Sequence, residues 1–214
     1  MSKGYGQYCG LARALDIVGD RWNLLIIRQL LVAAARYGEL RDGLPGVATN
    51  LLAARLRDLE TAGVIERQLG EDGGAIEYAL TPWGAQLREP IEGLIRWSSP
   101  LMVRGPEGDH FNADWLLLAL SALFAHRRPP DQPSVIGVAV DGAMTVHVRA
   151  TPSEIAVSGP GDGELDAVIR AEAPIVLGLA AGMLNLDAVA ELVDVDGDTA
   201  AVRTVFGTPT SCHR

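Results

Sequence analysis

Residues 37–80 limit the folds open to this chain more than any other stretch: YGELRDGLPGVATNLLAARLRDLETAGVIERQLGEDGGAIEYAL. Residues 36–44 read as a short helix. Leu44-Pro45-Gly46 ends it, because proline lacks an N–H and glycine accepts left-handed geometry. A longer helix over 49–62 turns Leu52, Leu56 and Leu59 inward at helical spacing, while Asn50, Ala53, Ala54 and Arg57 point elsewhere. Gly63 marks its end. Two short strands, 64–68 and 76–80, flank a polar, glycine-bearing tip at 69–75 that holds the acidic pair Glu71-Asp72. Helix, turn, longer helix and two strands, in this order, describe a winged helix-turn-helix, a shape that lays one helix in the major groove of DNA.

The flanking segments extend this reading. Residues 10–18 predict a first helix with Leu11, Ala14, Leu15 and Val18 on one face, and Asp20 is placed to cap the next helix. That second helix, 21–34, is too apolar for a single buried stripe and belongs at the centre of the domain. Thr81-Pro82 opens a further helix to 98, with Pro90 expected to bend or shorten it.

The formal net charge of −9 argues against non-specific binding of nucleic acid or a membrane surface by the whole molecule. The charge is unevenly spread. Residues 1–104 hold 12 basic and 12 acidic side chains, whereas residues 105–214 hold 6 and 15. With the Pro- and Gly-bearing segment 99–110, this split predicts two domains, 1–104 and 105–214. The start MSKGYGQYCG lacks the apolar core of a secretory signal, and no apolar run is long enough to span a bilayer. Cys9 and Cys212 form neither a disulfide framework nor a Cys-x-x-Cys pair. The expectation is a reduced, cytoplasmic protein.

Several short motifs in the first half carry a resemblance. They are Cys9-x-x-Ala12-Arg13-Ala14-Leu15, Gly19-Asp20-Arg21-Trp22, Leu40-Arg41, Leu44-Pro45-Gly46-Val47 and Leu51-Leu52-x-x-Arg55-Leu56-Arg57-Asp58-Leu59-Glu60. Gly63-Val64-Ile65 and Tyr78-x-Leu80-Thr81-x-x-Gly84 complete the set. Residues 9–97 thereby resemble an HxlR-type winged-helix transcriptional regulator. The resemblance implies a homodimer on a roughly palindromic double-stranded operator, with recognition helices about 34 Å apart. It also implies no cofactor. One departure stands out. The family's recognition helix usually begins with a small hydroxyl residue and proline, then a basic residue and later a glutamine. Here Ala48, Thr49, Asn50 and Ala54 occupy those places, so two polar contacts are thinned out.

The first turn of the 49–62 helix brings Thr49, Asn50 and Ala53 nearest the base edges, and asparagine pairs with adenine through two bonds. Arg55 and Arg57 are candidates for phosphates or bases, and Arg36 and Arg41 for phosphate positioning. The wing offers Arg67 beside its acidic tip, which predicts a weak wing contact. Cys9 lies at the family's N-terminal cysteine position, where some members sense electrophiles or oxidants. A helix N-terminus lowers a thiol pKa, with Arg13 one turn away, and the competing reading is a small buried cysteine at the dimer helix.

The second half reads as α+β with an antiparallel sheet. An apolar helix at 113–125 precedes strands at 135–140 and 143–148 around Asp141-Gly142, a strong two-residue hairpin signal. Further strands are expected at 154–158, 167–171 and 193–195, and helices at 174–182, 186–192 and 199–206. Residues 111–206 faintly resemble the sterol-carrier-protein-like fold, through Asp166–Arg170, Ala173-Pro174, Leu177-Gly178-Leu179-Ala180 and Val195-Asp196-Gly197-Asp198. The resemblance implies an apolar tunnel for a small apolar or aromatic effector, lined by Trp115, Leu116, Leu120, Phe124, Met144, Val146, Leu179 and Met183. The same side chains, taken singly, also suit a plain core.

Other signals fail inspection. Asp194-x-Asp196-x-Asp198 begins like a calcium loop, but Gly197 stands at its fourth position and Val205 where the bidentate Glu belongs. Gly159-x-Gly161-x-Gly163 lacks phosphate-cradle spacing. His110, His126, His147 and His213 share no metal-ligand spacing, and no nucleophile–base arrangement or other enzymatic constellation is present in the sequence. Three functions follow: an operator-binding regulator under a ligand-sensing second half, a thiol switch at Cys9, or a lipid-like ligand carrier with a vestigial DNA-binding half.

Overall fold

The computed structural model describes residues 4–70 and 73–207. The acidic tip Glu71-Asp72, Cys212 and His213 lie outside them. The chain divides into two compact units, Met1–Ile91 and Glu92–Arg214. The division falls inside a helix, ahead of the 99–110 segment expected to hold it.

In the first unit, α1 (Gly10–Val18), α2 (Asn23–Val32), α3 (Tyr37–Asp42) and α4 (Thr49–Thr61) precede the strands β1 (Ile65–Leu69) and β2 (Ile76–Leu80). The strands pair antiparallel from Ile65↔Leu80 to Leu69↔Ile76, and a bridge from Ala35 to Tyr78 sets a third chain segment on the other side of β2. The core is Ile26, Ile27 and Leu30 of α2, Leu40 of α3, and Leu52, Leu56 and Leu59 of α4, all 5% exposed or less. The apolar α2 is thus central, as its composition requires. Two expectations change. Trp22, at φ +85°, is the residue preceding α2, and Asp20 does not cap the helix with its side chain. The expected inward face of α1 is mostly open: Ala12 and Val18 are buried, but Leu11 and Leu15 are exposed.

After β2, the Thr81 hydroxyl accepts the N–H of Gly84 at 3.0 Å and donates to the Gly63 carbonyl at 2.7 Å. This caps a 3-10 turn, Gly84–Leu87, rather than the first turn of a long α-helix. Then α5 runs over Arg88–Ser98. Pro90 falls in its first turn, where a missing N–H is harmless, so the expected bend is instead a change of helix type.

In the second unit, α6 (Trp115–Phe124) precedes β3 (Ser134–Val140), β4 (Ala143–Ala150), β5 (Ile155–Ser158) and β6 (Ala167–Arg170). There follow α7 (Ala173–Ala180), β7 (Asp194–Gly197) and α8 (Thr199–Phe206). The expected helix at 186–192 is reduced to a 3-10 turn over Ala190–Leu192. The sheet order is β5-β4-β3-β6-β7. It is antiparallel except for the central β3–β6 pair, which is parallel. From the edge strand β5, residues 159–166 carry the chain across β4 and β3 to lay β6 on the far side. The glycine triplet of this segment is therefore a crossover loop. Asp166 anchors its end: its N–H donates to the Val135 carbonyl at 2.9 Å and its carboxylate accepts the Val135 N–H at 2.7 Å.

The β3–β4 turn has Asp141 at φ +52° and Gly142 at φ +81°, the two left-handed residues of a type I′ hairpin. Leu116, Leu120 and Phe124 of α6, Val176 and Leu179 of α7, and Val202, Val205 and Phe206 of α8 pack with the sheet. Each large side chain buried this way contributes about 1.5–3 kcal/mol. Arg127 closes this core. Its guanidinium lies over the Phe124 ring and donates to the carbonyls of Leu179 and Val205, in the last turns of α7 and α8.

Candidate nucleic-acid interface

The helix-turn-helix geometry begins with α3 and α4. Tyr37, the first residue of α3, donates its hydroxyl to the Thr49 carbonyl at 2.8 Å, pinning the start of α4. Sequence reasoning passes over Tyr37; its signal is a phenol at the opening of a short helix about two turns before the break. Ala48 precedes α4 without a side-chain cap, and no acid lies in the first turn. The positive end of the helix dipole is therefore not offset by a local carboxylate.

The burial of Leu52, Leu56 and Leu59 turns Thr49, Asn50, Ala53 and Arg57 outward. Thr49, Asn50 and Arg57 are exposed and Ala53 is half-buried. Asn50 Oδ1 accepts the Leu51 N–H at 2.9 Å, which leaves its amide NH2 without a hydrogen-bond partner among the described residues. Arg57 makes no hydrogen bond or ion pair among the described residues.

The remaining arginines are engaged. Arg55 lies on the inner flank of α4, half-buried, and pairs with Asp20 and with Asp58 at 3.1 Å. It fastens α4 to the turn before α2. Arg67 of β1 holds Glu60 with two bonds, at 2.8 and 2.9 Å. Arg36 lies 3.5 Å from Glu77, and Arg41 2.8 Å from Asp42. Three cations assigned to phosphate positioning or the wing thus carry carboxylate partners within this unit.

Cys9 immediately precedes α1 and is exposed, not buried. The backbone N–H groups of Ala12, and secondly Leu11, at the start of α1 hold its thiol below the ordinary cysteine value. Arg13 is directed to Asp16, 3.7 Å away. The lowering therefore comes from the helix N-terminus rather than the neighbouring cation.

In the second unit the expected tunnel liners separate. Leu116, Leu120, Phe124, Val146 and Leu179 are sealed in the packed core at 2% exposure or less. Trp115 is half-buried against Phe111 and His110, and Met144 and Met183 are exposed. The resemblance implies a shared tunnel lining, but the five buried side chains pack on one another in the core. One open cavity of this unit, about 180 Å³, is lined instead by Met102, Gly105, Pro106, Phe111, Asp141, Glu172, Ala173, Pro174 and Leu177. A second, about 540 Å³, lies against His126, Arg127 and Arg128 and touches the expected set at Phe124. Asp194 and Asp196 face Arg170 at 3.3 and 3.6 Å, and Asp198 caps α8 by accepting the Ala200 N–H, so the acidic triplet is divided between a strand edge and a helix cap. No group of metal-ligating side chains occurs among the described residues. None of their helices is long and apolar enough to cross a membrane.

The profile of the HxlR-like helix-turn-helix family matches residues 17–105. The HTH-type transcriptional regulator sll1512 of Synechocystis is 37% identical over 95 residues, 44% of this chain and 70% of that protein. YvaP, an HTH-type transcriptional regulator of Bacillus subtilis, is 35% identical over 88 residues, 41% of this chain and 82% of that protein. Among solved structures, the quinone-bound YodB from B. subtilis is similar over 42% of this chain and 96% of its own, with 31% identity and a TM-score of 0.37. The relatives by sequence are transcriptional regulators rather than enzymes. The chain belongs to the HxlR-like helix-turn-helix family of transcriptional regulators.

Proposed function

We propose that the chain binds a double-stranded operator as a homodimer and that its second unit senses a small apolar molecule. The observation that carries the DNA reading is the outward face of α4, where Thr49, Asn50 and Arg57 are exposed beside an uncapped helix start. Asn50 reads adenine or another base edge, Ala53 allows close approach, and Arg57 neutralises a phosphate. The homodimer is supported by α1, which leaves Leu11 68% and Leu15 38% exposed next to a fully exposed Tyr8. Selection of duplexes from a random pool tests this reading. The expected product is an inverted repeat that Asn50→Ala and Arg57→Ala bind weakly. Failure of the wild-type chain to enrich any sequence overturns it.

The sensing part requires a ligand with different affinities for two states of the dimer. The proposed route is α5, which continues the chain from the first unit into the second. Operator titrations with and without a bound molecule test it, and coincident curves at every concentration remove the allosteric role.

A thiol switch is the second reading. It is favoured by the exposure of Cys9 and the lowering of its pKa at the start of α1, beside the proposed dimer face. An unchanged transcriptional response to quinone or peroxide in Cys9→Ser eliminates it.

A further inference from the structure

We infer that the second unit binds a small hydrophobic organic cation in the cavity bounded by Met102, Phe111, Asp141, Glu172, Pro174 and Leu177. The inference rests on the proposed sensing role of this unit and gives it a site and a ligand class. The cavity, about 180 Å³, is of the order that takes one ring or a short branched chain; an engineered apolar cavity of about 150 Å³ holds benzene. Met102, Phe111, Pro174 and Leu177 make most of its wall apolar. Phe111 is held edge-on to Trp115 with ring centroids 6.4 Å apart.

Among the described residues, the charged liners are Asp141 and Glu172, both acidic. Neither Asp141 nor Glu172 has a hydrogen-bond or ion-pair partner for its carboxylate among the described residues, and Glu172 does not cap α7 with its side chain. Both carboxylates are exposed at the rim, so a neutral occupant gains nothing from them, and an anion is repelled. An ammonium group is attracted by the acidic rim and also gains from an aromatic face. The excess of 15 acidic over 6 basic side chains in residues 105–214 attracts the same sign of ligand. This occupant differs from a purely apolar effector: its tail fits the cavity, and its charge is what the rim selects.

Calorimetric titration of the full chain with phenethylammonium, 2-phenylethanol and phenylacetate tests the site with one ring and three charges. Phenethylammonium is expected to bind about tenfold more tightly than the alcohol, with no heat from phenylacetate. Asp141→Asn with Glu172→Gln is expected to bring amine and alcohol within about twofold of each other. Asn suits the left-handed turn at 141, and an unchanged melting temperature verifies the fold. Equal affinity of the wild type for amine and alcohol, no binding of the amine, or a cation preference that survives in the double variant overturns the inference. Operator affinity is measured separately with the amine at saturation. Binding without a change in operator affinity supports the site and removes the sensing role.

Discussion

Arg67 of the wing and Glu60 of the recognition helix hold each other by two parallel bonds, Nε to Oε1 at 2.8 Å and Nη2 to Oε2 at 2.9 Å. The pair joins β1 to α4 and neutralises a cation of the wing. Arg57, one turn before Glu60, has no such partner among the described residues. The two arginines should therefore behave differently on DNA. Arg57→Ala is expected to lower the slope of log K against log salt by about 0.9 per subunit, the value of one phosphate contact. Arg67→Ala should leave the slope nearly unchanged. Equilibrium titrations from low to moderate salt measure both.

The same pair has a defined acid limit. The Arg67 hydrogen bond holds the Glu60 carboxyl below its usual range. A depressed carboxyl pKa stabilises the fold above the unfolded value, and the contribution is lost as pH falls through the folded one. The link between wing and helix should thus persist through mildly acidic pH. A carboxyl titration of Glu60 by NMR should move up toward about 4.3 in Arg67→Ala.

Arg55 is the fastener on the other side of α4. Its partners are Asp20, in the turn ahead of α2, and Asp58. Asp20→Ala should destabilise the first unit by about 1 kcal/mol, at the upper end for a partly exposed pair because the arginine is half-buried. Operator affinity should fall with it, since α4 loses a tie to the domain. Urea unfolding and anisotropy titration measure the two effects.

Cys9 should react faster than an unperturbed thiol at neutral pH. Its pKa lies below the ordinary value through the backbone groups of Ala12 and Leu11. Peptide-resolved labelling with iodoacetamide should show a midpoint below about 8.5 for Cys9. The midpoint should return to that value in denaturant, where the helix start is gone. Arg13→Ala should leave it in place, because Arg13 faces Asp16.

Gly197 ends β7 at φ +93°, and a Cβ there would lie 2.5 Å from the Asp166 carbonyl oxygen and 3.0 Å from Ala167 Cα. Both obstacles are backbone. Gly197→Ala should therefore break the β6–β7 edge and cost about 2–4 kcal/mol in unfolding of the second unit. Arg127→Met should cost a similar amount, about 3 kcal/mol, by leaving the Leu179 and Val205 carbonyls without their charged donor. Hydrogen exchange of the second unit's sheet reads both losses.

By itself the sequence determined the elements with strong local signals. The spacing of Leu52, Leu56 and Leu59 marks α4, the Gly63 and Gly70 region frames the wing, and Asp141-Gly142 marks the hairpin, because helical period and turn chemistry act over a few residues. The outward set Thr49, Asn50, Ala53 and Arg57 was legible for the same reason. Tertiary structure alone decided which arginines are available. Arg55 and Arg67 look like Arg57 in the sequence, and only the placement of Asp20 and Glu60 from other elements beside them supplies the carboxylates that neutralise their charge. It also decided the parallel β3–β6 pair, since strand order depends on how residues 159–166 cross the sheet and not on any strand's own pattern. The open cavity follows the same rule. Phe111, Asp141 and Glu172 are far apart along the chain, whereas the apolar residues that resembled a tunnel lining meet one another and close into a core.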